Sequence, residues 1–407
     1  MGGINKSLHI SSESLIDKLL WIGFSLWLII DVITGYALNN GLTFPLSQGF
    51  KLLILLLLLI RVSRWERCLK ISFILLLYLS LFTISLILHE RNLSHTFIHL
   101  TKLISTFYLY VYFCAYIKLG QSNFIIKADK VLTIAFIIVS INIVGGLAGI
   151  GFHTYPDEQV GYKGFFFAGN ELGGVITSLI PFLLYVVYLN YRLCRYVIFS
   201  LFVMLLSYIL ATKSVLIASF LCVIIIPWIL GTKKERKRIC VLGLLMGIPL
   251  LSLLILKMLS SESELVLKLV YAYNTNGVKG LIFSGRDEFL AERGDEFYDG
   301  DFLTKLMGIG GNISVEIDPI DSLLNYGYVG FGITIIIYAY LLCSAYKYKK
   351  NNSFVPVLIF QNWLILMMSI IAGHIMYSSM AGLYISLTNS LVFFKSKSKC
   401  IVDLKRC

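Results

Sequence analysis

Long apolar runs separated by short polar connectors make up most of this 407-residue chain. The run Leu52–Ile60, LLILLLLLI, contains no polar position. Because lipid offers no partner for open backbone groups, such runs form helices, and each helix needs about 20 apolar residues to cross the hydrocarbon core. The pattern predicts an all-α chain with twelve transmembrane helices, near residues 19–38, 44–61, 69–88, 100–117, 131–150, 166–189, 196–212, 214–230, 240–257, 322–345, 354–373 and 376–394.

One long polar segment interrupts this pattern. Residues 258–321 hold 12 of the 23 acidic residues and lie between the ninth and tenth predicted transmembrane helices. Spacing predicts an amphipathic surface helix at Glu262–Tyr273, a short helix at Arg286–Tyr298 and a glycine-rich bend at Gly308–Asn312. We expect a single membrane domain, residues 1–407, into which 258–321 is inserted as a loop that carries the chemistry.

Composition supports a polytopic membrane protein and excludes an ordinary soluble domain. The chain is 57% hydrophobic and 14% charged, with a mean hydropathy of +0.81. Most of the 35 Lys and Arg residues fall in alternate connectors, as in the run RVSRWERCLK after the second predicted helix. By the positive-inside rule both termini are cytoplasmic, and the acidic loop faces outward.

The remaining composition signals exclude other classes. The net charge of +12 then reflects topology and attraction to anionic lipid, and no nucleic-acid partner is expected. None of the eight cysteines falls in a predicted outer loop, so no disulfide framework or zinc site is indicated. Asp31 interrupts the first apolar run, which lacks a compact small-residue cleavage site, so this run is predicted to remain as an anchor.

Two polar clusters are predicted at the outer ends of helices. The first, GYKGFFFAGNELGGV at the sixth predicted helix, contains Lys163, Asn170 and Glu171. Polar side chains there are costly and usually face a cavity or a partner, although a helix-packing patch with one buried Asn would also fit. The second is Thr212-Lys213-Ser214, in which Lys213 is either an interfacial anchor or part of an anion site.

The third cluster lies in the acidic loop. Arg286 follows Ser-Gly and could hold a phosphate through its fork of donors. Glu316, Asp318 and Asp321 precede the tenth predicted helix, where a partly desolvated carboxylate could remove a proton from a sugar hydroxyl. The alternative is a solvated acidic loop whose carboxylates cap that helix. No metal site is predicted, since the six His residues lack ligand spacing and Asp299-Gly300-Asp301 faces away from cytoplasmic nucleotide sugars.

Taken together, the clusters resemble the O-antigen ligase/polymerase superfamily of bacterial envelope proteins, especially its Wzy-type polysaccharide polymerases. The likeness lies in FFFAGNELGG, ATKSVLIA, Ser284-Gly285-Arg286 and GIGGNISVEIDPIDSLLNYGYVG. It implies a glycosyltransferase-C-like membrane fold with a large extracytoplasmic loop over a lipid-facing cavity. It also implies polyprenyl-diphosphate-linked oligosaccharide substrates and metal-independent transfer without a soluble cofactor.

Carried onto this chain, the resemblance implies that Arg286 and Lys213 bind diphosphate. Glu316 falls where many ligases have a His and becomes the candidate base, supported by Asp318 and Asp321. The cluster Lys163, Asn170 and Glu171 is predicted to bind substrate.

The expected activity is that of a polymerase joining lipid-linked repeat units on the outer face of the bacterial cytoplasmic membrane, with a chain-length regulator as a partner. A ligase acting on finished chains is one alternative. A flippase for the same lipids is another, although no repeat between halves is evident.

Overall fold

The computed structural model describes residues 14–42, 45–63, 79–87, 93–118, 123–156, 159–191, 193–236, 286–310 and 314–394, with isolated positions at 76, 270, 273, 274 and 277. The predicted transmembrane helix near 240–257 lies outside the described residues, and so does nearly all of the predicted surface helix Glu262–Tyr273.

Helices form almost all of the described chain. They are α1 (Leu15–Asn39), α2 (Leu46–Val62), α3 (Leu93–Lys118), α4 (Phe124–Leu147), α5 (Gly169–Asn190), α6 (Leu193–Leu210), α7 (Lys213–Leu230), α8 (Arg286–Tyr298), α9 (Phe302–Met307), α10 (Asp318–Lys347), α11 (Val355–Ile371) and α12 (Ser379–Ser390), followed by a 3₁₀ turn at Leu391–Phe393. Residues 79–87 are also helical.

The described residues support a polytopic helical membrane protein but not the predicted number of spans. Six helices among them are long and apolar enough to cross a membrane, namely α1, α4, α5, α6, α7 and α10. The remaining predicted spans that the structure describes, at α2, α3, α11 and α12, are helical but fall short of that length or hydropathy. The short helix predicted at Arg286–Tyr298 is present in the described residues and ends at Tyr298, as predicted.

The all-α prediction needs one correction, because a β-hairpin lies between α4 and α5. Strands β1 (Phe152–Tyr155) and β2 (Val160–Gly164) pair antiparallel. Thr154 Oγ1 donates to the Leu210 carbonyl at 2.8 Å, which seats the hairpin on the end of α6. The aromatic and β-branched residues of this connector favour strands, a signal hidden by the apolar runs on both sides.

The centre of the bundle is formed by α5, in which residues 172–185 are all buried, and α12, which is buried along its whole length. α12 packs chiefly against α3, and also against α5. Its buried polar side chains pair with α11, since the amides of Asn362 and Asn389 exchange two hydrogen bonds at 2.8 and 3.0 Å. Such polar contacts stabilise helix association in a lipid environment, where the hydrophobic effect between helices is weak.

The first turn of α1 is linked to α2 by a buried ion pair and to α3 by a hydrogen bond. Asp17 Oδ1 accepts from Arg61 Nε at 2.9 Å and from the Tyr112 hydroxyl at 3.0 Å. Ser14 caps α1 by accepting from the Asp17 amide at 3.2 Å. Asp17 therefore has its hydrogen-bonding capacity filled by structural partners.

A kink inside α10, at Gly327, packs against residues 308–310, the described part of the glycine-rich bend predicted at Gly308–Asn312. Gly327 has φ +64°, which interrupts the helical hydrogen bonds. The Ile309 and Gly310 amides donate to the carbonyls of Leu324 and Asn325 at 2.9 and 3.0 Å. A Cβ added to Gly327 would lie 2.4 Å from the Leu306 carbonyl oxygen, so only glycine permits this close backbone packing.

Candidate functional site

A short connector between α11 and α12, residues 372–378, is the centre of the candidate site. The hydropathy pattern left only residues 374 and 375 for this connector, because one predicted span ended at 373 and the next started at 376. Gly373 and His374 both lie in the left-handed region, at φ +65° and +58°. A Cβ on Gly373 would stand 2.4 Å from the Glu316 carbonyl oxygen, so the connector packs directly on the backbone at the start of α10.

Arg286, the first residue of α8, brings its guanidinium to the start of this connector. Its Nη2 and Nε lie 2.9 and 3.3 Å from Glu316 Oε2. Nη1 donates to the Ile371 carbonyl, and Nη2 also reaches the Ala372 carbonyl at 3.4 Å. The Arg286 side chain is 12% exposed, whereas that of Glu316 is 41% exposed. The Arg286 guanidinium is therefore held in place and paired with a carboxylate that is more accessible to solvent.

Lys213, the first residue of α7, adds a second cation. A positive charge in the first turn opposes the helix dipole, which favours anions there. Within the described part of the chain, no carboxylate forms an ion pair with Lys213. The Lys213 and Arg286 charges interact with each other. A cation in the first turn of α7 with the Arg286 guanidinium of α8 near it forms an arrangement suited to a multiply charged anion such as a diphosphate.

Asp318 and Asp321 lie at the start of α10 and are buried, with 1% and 8% exposure. Asp318 Oδ2 accepts from the Ile375 and Met376 amides, both at 2.8 Å, and Asp321 Oδ1 accepts from the Val315 amide at 2.6 Å. Asp318 therefore binds backbone amides of the connector. The alternative predicted from the sequence was that it caps the start of its own helix, α10. Its other oxygen, Oδ1, has no hydrogen-bond partner among the described residues.

His374, which no sequence motif marked, joins this carboxylate pair. One imidazole nitrogen and one oxygen from each of Asp318 and Asp321 all lie within 4.8 Å of one another. His374 Nε2 is also 3.4 Å from Ser314 Oγ. The only available signal was topological, because residue 374 falls between two predicted helices at the same face as Asp318.

These three side chains are also close enough to hold a metal ion, but their hydrogen bonds favour another role. Backbone amides already donate to one oxygen of Asp318 and one oxygen of Asp321. Carboxylates held in this way are suited to orienting the His374 imidazole. We therefore expect the activity of the purified protein to be unchanged, within about twofold, after dialysis against EDTA. Lost activity that returns on adding Mg²⁺ or Mn²⁺ would instead identify Asp318, Asp321 and His374 as ligands.

The hairpin contributes Tyr155, a further residue without a sequence motif. Burial raises the pKa of the Tyr155 phenol, the Arg286 guanidinium opposes this shift, and the Glu316 carboxylate adds to it. The phenol consequently stays protonated at neutral pH and can donate a hydrogen bond beside the ion pair. The hairpin thus brings a phenol close enough to the Arg286–Glu316 ion pair to sense both charges.

The predicted cluster around the sixth span is divided between two places. Lys163 lies on β2, where its Nζ donates to the Phe167 carbonyl at 2.7 Å and burial lowers its pKa. Its bond is therefore to the local backbone, with none to Arg286 or Glu316. Asn170 lies half-buried in the first turn of α5.

Glu171 is connected to the site through the connector. Its Oε2 accepts from Ser378 Oγ at 2.8 Å, and its Oε1 lies 3.3 Å from Lys102 Nζ. The connector therefore contacts Arg286 through its first residue, Asp318 through its middle residues and Glu171 through its last residue. Glu171 faces a separate cavity described below.

Comparison with known proteins adds one finding. No curated protein and no solved structure matches the chain. A profile described as O-antigen ligase like membrane protein matches residues 14–275, which include α1 to α7 and the candidate residues Lys163, Glu171 and Lys213. This match spans more than half of the 407 residues. The chain therefore belongs to the O-antigen ligase like membrane protein family.

Proposed function

We propose that this protein is a polysaccharide polymerase that joins polyprenyl-diphosphate-linked repeat units on the outer face of the cytoplasmic membrane. Family membership makes it a membrane enzyme of glycan assembly. The observation that carries the finer proposal is the meeting of Arg286 and the buried group Asp318, Asp321 and His374 at one connector, with the Lys213 charge near enough to Arg286 for the two to interact.

This arrangement supplies the two requirements of transfer from a lipid diphosphate. The acceptor hydroxyl oxygen attacks the anomeric carbon of the donor, while the bond from that carbon to the diphosphate oxygen breaks. The diphosphate leaves with the electron pair, and Arg286 and Lys213 stabilise its growing negative charge. A base removes the hydroxyl proton, so no cofactor is consumed.

We assign the base role to His374 rather than to Glu316, the candidate from the sequence. The Glu316 carboxylate is engaged by the Arg286 guanidinium, whose Nη2 lies 2.9 Å from Glu316 Oε2, so this oxygen is held in an ion pair rather than directed at an acceptor hydroxyl. His374 stands beside two buried carboxylates that can orient its ring and stabilise the imidazolium formed on proton transfer. Glu316 then positions Arg286, and a diphosphate oxygen replaces the Glu316 carboxylate on the guanidinium.

The orientation of the site follows from the helix ends that contribute to it. The site is built from the starts of α5, α7, α10 and α12 and the ends of α6 and α11. Under the positive-inside assignment these ends all face outward, where lipid-linked repeat units await polymerisation. Both termini are then cytoplasmic, and a chain-length regulator would act from the outer face.

The size of lipid-linked saccharides in cells lacking this gene tests the proposal. We expect single repeat units to accumulate on the outer face and long chains to return on complementation. Long chains that remain on the lipid would identify a ligase instead. Single units trapped on the cytoplasmic face would identify a flippase, and either result would contradict the polymerase.

A further inference from the structure

A second polar region of the molecule is a cavity of about 470 Å³ between α1, α2, α3, α5 and the start of α12. This volume falls within the range of small-molecule sites, about 300–1,000 Å³. Its walls are mainly apolar, and a few polar side chains point into it, among them Asp31, Gln48, Lys51, Lys102 and Glu171. Sequence motifs marked only Glu171 of this set as a substrate contact.

The charges in the cavity are balanced in two ion pairs. Lys51 Nζ lies 2.6 Å from Asp31 Oδ1, and Lys102 Nζ lies 3.3 Å from Glu171 Oε1. The cavity therefore has no net positive charge to attract a diphosphate. In this respect it differs from the Arg286 and Lys213 group, in which two cations interact.

Asp31 also presents an unsatisfied acceptor. Its Oδ1 accepts from Ser47 Oγ at 2.5 Å and from Lys51 Nζ. Its Oδ2 has no hydrogen-bond partner among the described residues, and the residue is only 7% exposed. A buried carboxylate oxygen without a donor is costly, and a ligand hydroxyl would satisfy it. A phosphate oxygen, in contrast, would be repelled.

We propose that this cavity binds the uncharged sugar rings of the acceptor saccharide, an inference that rests on the proposed polymerase function. Sugar hydroxyls would donate to Asp31 Oδ2 and exchange hydrogen bonds with the Gln48 amide. The apolar walls, including the Phe167 ring, would cover the carbon faces of the rings.

The cavity is joined to the reaction site through the connector, residues 372–378. Ser378 donates to Glu171 at one end of the cavity, and Trp27 Nε1 donates to the Ser379 carbonyl at 3.1 Å. Residues 375 and 376 of the same connector are bound by Asp318. An acceptor held in the cavity would thus reach toward His374, while Arg286 and Lys213 hold the donor diphosphate.

Binding to the full-length purified protein tests this inference without requiring turnover. The probes are the saccharide released by mild acid from lipid-linked units of the deletion strain, and inorganic pyrophosphate. We expect Asp31→Asn to weaken saccharide binding about ten- to a hundredfold, because a hydrogen bond to a buried charge is lost, and to leave pyrophosphate binding unchanged.

Asp17→Asn is the matched control, since Asp17 is a buried, ion-paired carboxylate on the same helix but away from the cavity. Gln48→Ala, at the exposed rim, should also weaken saccharide binding, and it keeps the test valid if Asp31→Asn fails to fold. Unchanged saccharide affinity in Asp31→Asn and Gln48→Ala, or weakened pyrophosphate binding in either, would overturn the inference. If the wild-type protein binds the saccharide but extends no chains, the proposed polymerase function is contradicted and the proposed saccharide site is not.

Discussion

Arg286→Lys is expected to lower chain extension at least about a hundredfold while leaving the protein at its normal level in the membrane. Lysine keeps the charge but loses the planar fork that binds two oxygens at once. Removing one donor that stabilises a developing negative charge costs about 10²–10³ in rate. Length of the polymer in complemented cells and transfer by the purified enzyme both measure the effect, and Arg286→Ala should abolish polymer.

A control is needed because Arg286 also supports the fold through the Ile371 and Ala372 carbonyls. Glu316→Gln breaks the ion pair while keeping the guanidinium and those two contacts. In our assignment this variant retains measurable transfer, reduced by about tenfold or less because Arg286 is less well positioned. Normal polymer in Arg286→Lys and Arg286→Ala would remove Arg286 from the diphosphate site. If both variants are present at low abundance, pyrophosphate binding to the purified protein decides instead. We expect Arg286→Lys to weaken that binding.

His374→Asn is expected to reduce transfer about 10²- to 10⁴-fold, the usual contribution of a general base. Asn suits this test because it tolerates the left-handed backbone of residue 374, at φ +58°, so the connector keeps its shape. The rate of single-turnover transfer at saturating substrate should fall, whereas pyrophosphate binding at Arg286 and Lys213 should not change.

Chemical rescue separates a base from a structural residue. His374→Gly leaves an opening beside Asp318 and Asp321, and glycine adopts the positive φ without strain. Added imidazole should restore part of the transfer in His374→Gly and none in His374→Asn, where the side chain still fills the space. If Glu316→Gln instead abolishes transfer and His374→Asn leaves it intact, Glu316 is the base and the prediction from the sequence stands.

Some features of the molecule could be predicted because they depend on local pattern. Helix α8 and its end at Tyr298 were predicted from spacing. The bend at Gly308 was predicted from glycine content, and its φ is +86°. Hydropathy identified α5 and α7, although their starts were placed about three residues early and one residue late. These signals are local because a helix or a glycine bend is formed by residues close together in the chain.

Other features could not be predicted, because they depend on which helix ends meet. Glu316 was selected as a base from its place in a motif, but its partner Arg286 is 30 residues away and becomes evident only when α8 packs beside α10. The connector was almost absent from the hydropathy pattern, since its neighbours are apolar. Even so, it contacts Arg286, Asp318 and Glu171.

The sequence by itself determined that this chain is a helical membrane protein, and it identified the charged residues that are rare in such a protein. Polar side chains are costly near lipid, so their presence is visible in composition alone. Only the tertiary structure decided their partners: it placed His374 with two buried carboxylates and assigned Asp31 and Glu171 to a separate cavity. Helix periodicity records which residues are apolar, whereas helix packing brings together residues that are far apart in the chain.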